Sequence, residues 1–147
     1  MKITVRHVFF AFKYDPDVWR ANAIRNQPRI LGAKVTGYWD DSLYEPSLAS
    51  NPDYVKRKIR EGLEGTSVTV ILVTHHTIES DYVEYEYEKS IERGNKILQL
   101  DVSQIKDQNG NFAHFNGWLP YVTRGLKKKW YSGCPLGDWI EKTNHYG

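Results

Sequence analysis

Cysteine is all but missing from this chain. Cys134 stands alone among 147 residues, which excludes an intrachain disulfide and a thiolate-held metal site. Long apolar runs are missing as well. Nothing approaches the run of about 20 apolar residues that a membrane span needs. The apolar stretches near the start are broken by Arg6, His7 and Lys13, so no signal peptide is expected. Neither sign of charge dominates: the formal net charge of +2 is too small to argue for nucleic acid or membrane as a partner. Ala11 to Asp17 holds no glycine, which argues against a phosphate-cradling loop of the P-loop or Rossmann kind. No repeat, linker or low-complexity segment interrupts the chain. One soluble, cytoplasmic domain over residues 1–147 is expected, long enough for a substantial core.

What is present alternates between two periods. Ile3 to Phe12 reads as a first strand, with Val8-Phe9-Phe10-Ala11-Phe12 as its buried end. A polar turn follows, with Asp15 as candidate N-cap and Pro16 at the first helical position. The next helix is expected to use Val18, Trp19, Asn22, Ala23 and Ile24. Lys34 to Trp39 reads as a second strand, and a polar loop runs from Asp40 to about Ser50. Asn51 and Pro52 start a helix whose Val55, Ile59 and Leu63 recur at four-residue spacing, with Gly62 and Gly65 ending it. Lys56-Arg57-Lys58-Ile59-Arg60 is the outer face of that helix. After Leu100 comes a turn-rich loop, Asp107 to Asn111. An aromatic-rich closing segment over 101–147 (Trp118, Tyr121, Trp130, Tyr131, Trp139) is expected to pack a last strand and a short helix onto the sheet. Lys127-Lys128-Lys129 reads as a solvated loop, with contact to an acidic partner or phosphates as the lesser reading.

The stretch from Thr66 to Leu100 is the clearest. Thr66 to Thr74 is β-branched and almost continuously apolar, as in a strand covered on both faces. Lys96 to Leu100 is a shorter strand of the same kind. The helix between them has Ser80 as N-cap and Gly94 as its stop. Its phase puts Val83, Tyr87, Ser90 and Ile91 on one face and Glu84, Glu88 and Glu92 on the opposite one. Glu86 belongs to neither set. It flanks the buried face, where a carboxylate can line a cleft at the sheet's end; a partly exposed helix glutamate is the ordinary alternative.

The order β-α-β-α-β-α-β predicts an α/β fold, an open parallel sheet with helices on both faces. Ligands of such folds bind at the carboxyl ends of the strands. That rule selects Lys13, Tyr14, Asp41, Ser42, His75 and His76 as residues that could meet around one crevice. Adjacent histidines at a strand end are expected to point apart, and no further histidine is suitably spaced, so no metal is expected. Ser42 and His75 lack the glycines of a nucleophile elbow.

Four segments in this order resemble the bacterial TIR-like domains, in particular the TIR-domain subunit of the Thoeris anti-phage system. They are Val8 to Phe12, Asp41-Ser42-Leu43-Tyr44-Glu45, Gly65 to Val73, and Tyr82-Val83-Glu84-Tyr85-Glu86 with its trailing Lys89-Ser90-Ile91-Glu92. The resemblance covers roughly Val8 to Leu100. It implies a flavodoxin-like fold and cleavage of NAD+, as substrate, between nicotinamide and ribose. It also implies one catalytic glutamate in a W-x-x-x-E pattern on the helix after the central strand. That position is Glu86 here, with Tyr82 in the place of the usual tryptophan. Ala11 stands where the first strand often has serine.

One carboxylate suits that chemistry. Nicotinamide leaves as a neutral molecule from a cationic ring, so no general acid is needed, and a carboxylate stabilises the oxocarbenium character left on the ribose. Phe10, Phe12 and Tyr14 are candidates to sandwich the nicotinamide, and Asp41, Ser42 and Tyr82 to line the substrate site. The family further implies self-association through the loop from Asp40 to Ser50 and a cyclic ADP-ribose-type product sensed by a separate effector. No cofactor is expected. Two other classes remain: a non-enzymatic TIR-like assembly module and a receiver-like phosphorelay domain. Receivers carry an acidic pair after the first strand and a phospho-acceptor after the third. Asp15 and Asp17 followed by Thr74-His75-His76 fit that poorly.

Overall fold

The computed structural model describes residues 6–26, 33–37 and 51–146. Ile3 to Val5, Tyr38, Trp39 and the loop from Asp40 to Ser50, with Asp41, Ser42 and Tyr44, lie outside them. The strands are β1 (Arg6–Ala11), β2 (Ala33–Gly37), β3 (Val68–Val73), β4 (Lys96–Asp101) and β5 (Leu126–Lys129). The helices are α1 (Tyr14–Arg25), α2 (Pro52–Leu63), α3 (Asp81–Arg93) and α4 (Leu136–Tyr146). All strand pairs are parallel, in the order β2-β1-β3-β4-β5. This is the flavodoxin-like order, with its reversal between β1 and β3.

Strand alternation sorts the core into two layers. Val8, Phe10, Val70, Leu72, Leu98 and Leu100 point to one face, under Ala21 and Ile24 of α1 and Leu136 and Ile140 of α4. Phe9, Ala11, Ile71, Val73 and Ile97 point to the other, under Val55, Ile59 and Leu63 of α2 and Val83 and Tyr87 of α3. Each side chain enclosed this way contributes about 1.5–3 kcal/mol relative to exposure. The helices therefore cover both faces, as the near-continuous apolar strands require.

Local signals hold well around α2 and α3. Asn51 caps α2, its side chain accepting from the Tyr54 amide, with Pro52 at the first position. Ser80 caps α3 by accepting from the Val83 amide, and Gly94 ends it at φ +82°. A buried polar cluster fixes α3 against β3. The Ser90 and Thr69 hydroxyls lie 2.7 Å apart, Ser90 also donates to the Glu86 carbonyl, and Asn95 donates to Thr66 and Thr69.

Four expectations are corrected. Helix α1 begins at Tyr14 with extended Lys13 as its cap residue, not Asp15, and no side chain caps it. Pro16 still falls in the first turn, where its missing N–H costs nothing. Ile24 of α1 is buried as read, but the other buried positions are Asp17, Arg20 and Ala21, while Trp19 is 52% exposed. Gly62 lies buried inside α2, and Gly65, at φ +79°, makes the turn after it. Lys127-Lys128-Lys129 is not a loop but most of β5, whose outward lysines suit a sheet edge by discouraging pairing with another chain.

Candidate active site

Chain reversal between β1 and β3 opens a cleft at the carboxyl ends of these strands. Phe12, Lys13 and Tyr14, which follow β1, form one wall. Glu79, Ser80, Asp81 and Tyr82, from the short 3-10 turn after β3 and the start of α3, form the other. Ile59 and Glu86 complete a cavity of about 380 Å³.

Glu86 goes further inside than its helix phase indicated. It is 2% exposed, and its carboxyl group makes no hydrogen bond or ion pair among the described residues. Burial pushes its pKa well above the usual carboxylate value of 4.5. The cleft thus holds an uncompensated carboxyl at the end of a mostly apolar chamber, a setting in which a cation is the natural complement. Tyr121 lies within electrostatic reach. Burial first, then the charges of Glu84, Glu86 and Glu88, raise its phenol pKa, and its hydroxyl is enclosed without a partner among the described residues.

Behind the cleft a buried network joins its two walls. The Thr74 hydroxyl donates to Asp17 Oδ2 at 2.8 Å, and Asp17 Oδ1 accepts from Arg20 at 2.8 Å. Arg20 also donates to the carbonyls of Ile105 (2.7 Å) and Asn111 (3.0 Å). Thr77 holds the turn after β3, accepting from the Thr74 amide and donating to the Leu72 carbonyl. At the mouth, Lys13 Nζ and Glu79 Oε2 form a partly exposed ion pair at 3.3 Å.

Of the residues singled out from sequence, Phe12, Lys13, Tyr14, Tyr82 and Glu86 meet around this cleft, with the Phe12 and Tyr14 rings stacked at 6.5 Å. Phe10 does not reach it; its position on the pleat sends it into the core under α1, fully enclosed. His75 and His76 are not in the wall either. Contrary to expectation they pack together, ring centroids 3.7 Å apart, and His114 joins them at 5.2 Å. The turn curls the strand end back, and His75 Nδ1 accepts from the His114 amide. Burial, then the neighbouring His75, hold His76 below the ordinary imidazole value of 6.5. Among the described residues no group of three or more His, Cys, Asp or Glu could hold a metal ion. Asp17 is tied to Arg20 and Thr74. Sequence reasoning did not place Glu79, Ser80, Asp81 and Ile59 in the site; the strand-end rule, carried through to the first residue of α3, would have found the first three.

A profile of the family described as "Thoeris protein ThsB, TIR-like domain" matches residues 9–107. The chain belongs to the Thoeris ThsB TIR-like family. A similar protein from Bacillus cereus (strain MSX-D12), named "Putative cyclic ADP-D-ribose synthase ThsB1", is 38% identical over 108 residues, which is 72% of this chain and 56% of that relative. The chain thus matches just over half the length of this curated ThsB relative. The ThsB match spans β1 to β4 and so contains both walls of the cleft and Glu86. No helix among the described residues is long and apolar enough to cross a membrane.

Proposed function

We propose that this chain is an NAD+ nucleosidase and cyclase. It cleaves the bond between nicotinamide and ribose and closes the remaining ADP-ribose on itself, making a cyclic nucleotide signal for anti-phage defence. The observation that carries this reading is Glu86, a buried carboxyl, unpaired among the described residues, at the end of a cleft at the strand-order reversal. The name of the Bacillus cereus relative supports the same class of reaction.

The steps follow from charge. The cationic nicotinamide ring enters beside Glu86 and favours its ionised form, while Phe12, Tyr14 and Tyr82 offer aromatic surface to the ring and exclude water. As the C1′–N bond breaks, its electron pair leaves with nicotinamide, which departs neutral. Positive charge moves to the ribose, where the Glu86 carboxylate stabilises it. A hydroxyl of the folded-back adenosine half then bonds C1′, gives up its proton to solvent and leaves a cyclic product; water in its place, losing a proton in the same way, gives linear ADP-ribose. Glu86 serves both outcomes, so the dryness of the cleft decides between them. The product is read by a separate effector. Assembly through the segment from Asp40 to Ser50 raises activity, so turnover per molecule increases with protein concentration.

Purified protein incubated with NAD+, with nicotinamide and nucleotide products separated by chromatography, tests the proposal. Nicotinamide with a cyclic isomer is expected, and Glu86→Gln abolishes both. Nicotinamide with linear ADP-ribose alone would reduce the activity to hydrolysis. Its absence under all conditions, including concentrated protein and extracts of phage-challenged cells, would leave a non-enzymatic assembly module.

A further inference from the structure

The two walls of the cleft are tied twice, and the ties differ in kind. Deep inside, Thr74 donates to Asp17; these residues are 3% and 0% exposed, and breaking their bond would leave one oxygen of a buried carboxylate without its donor. At the mouth, Lys13 pairs with Glu79, with side chains 32% and 66% exposed. An ion pair so open to water contributes little and exchanges partners readily. The inner tie is fixed, whereas the outer one can change hands.

The charges in the cleft say what would replace Glu79. Three carboxyl groups line it, from Glu79, Asp81 and Glu86, and among the described residues Lys13 is the only cation in its wall. While Lys13 is held by Glu79, an incoming anion meets acid alone. We propose that the Lys13–Glu79 pair is a latch: the pyrophosphate of the incoming dinucleotide displaces Glu79 and takes over Lys13. The first turn of α3 borders the same place, and the amino end of a helix favours phosphate oxygens. This rests on the NAD+ reading and assigns different parts of it to different residues. Glu79 and Lys13 set the affinity for the phosphate-bearing portion, and Glu86 acts on the ribose.

Calorimetry on the full chain tests the latch without any turnover, using ADP, which carries the pyrophosphate but no nicotinamide bond, and adenosine, which carries no phosphate. Glu79→Gln binds ADP about threefold more tightly, as expected for removing an exposed competitor. Lys13→Gln binds it about tenfold more weakly, with a shallower salt dependence. Adenosine binding is indifferent to both substitutions. In parallel assays the KM for NAD+ follows ADP affinity more strongly than kcat does. The latch is overturned if ADP binds neither the wild type nor Glu79→Gln, or if Glu79→Gln leaves ADP binding unchanged or weaker. It also falls if Lys13→Gln affects adenosine as much as ADP. Absence of nicotinamide release with the ADP pattern intact overturns the cleavage reading and leaves the latch standing.

Discussion

Glu86 carries a conflict between stability and chemistry in one side chain. Its carboxyl is enclosed without a cationic partner among the described residues, so burial favours the neutral form, whereas the proposed reaction needs the anion. Turnover should therefore rise with pH through a pKa above the usual 4.5 for a glutamate, seen as an acid limb in kcat/KM. Folding shows the opposite sign. The native chain holds this proton to higher pH than the unfolded chain does, so stability is full below the unfolded pKa and declines as pH rises through the native one. Glu86→Gln removes that decline. It is expected to lose turnover while melting above the wild type at neutral pH. Glu84→Gln and Glu88→Gln, both on the exposed face, should change neither quantity appreciably. Equal loss of activity in all three, with native circular dichroism, would sink the assignment. Helix phase separated Glu86 from Glu84, Glu88 and Glu92 in the bare sequence. Its depth was not legible there, because Ile59 of α2 and the residues after β1 close over it from distant parts of the chain.

The first helix shows where periodicity fails. The pattern favoured Val18, Trp19, Asn22, Ala23 and Ile24, yet beside Ile24 the enclosed side chains are Asp17, Arg20 and Ala21, and Trp19 faces water. Two partners of Arg20, the Ile105 and Asn111 carbonyls, lie 85 and 91 residues away, so no local pattern signals a buried cation. Arg20→Leu leaves Asp17 buried without its counter-ion and should cost about 3–5 kcal/mol in urea unfolding. Where signals are local, the elements were legible: Asn51-Pro52 and Ser80 start their helices as read. Gly94 ends α3 in the left-handed region with open space beside it, so Gly94→Ala should cost about 1–2 kcal/mol from the backbone alone. Gly125, at φ +97°, lies against the Ile97 backbone carbonyl of β4, where a Cβ does not fit. Gly125→Ala should be distinctly worse in the same measurement, because neither backbone can yield.

At the scale of the whole molecule, the alternating order over β1 to β4 was enough for a parallel sheet, since each apolar strand needs helices on both faces. The end of the sheet was hidden for the reverse reason. As an edge strand of Leu126 and three lysines, β5 has little apolar content to announce it. The chain between β4 and β5 is held by long-range bonds, such as the Leu119 amide to the Gln99 side chain. The same closing segment contains Cys134, the only thiol in the chain, enclosed among β-sheet residues and α4. That placement makes the protein its own clock for local opening. A thiol-exchange reagent cannot reach the sulfur until the C-terminal helix lifts from the sheet, so the labelling rate of native protein reads the frequency of that excursion. Labelling is expected to be slow in native buffer. It should begin at lower urea than the loss of far-ultraviolet circular dichroism if the closing segment opens as a separate unit, and coincide with that loss if the sheet and its last helix unfold together.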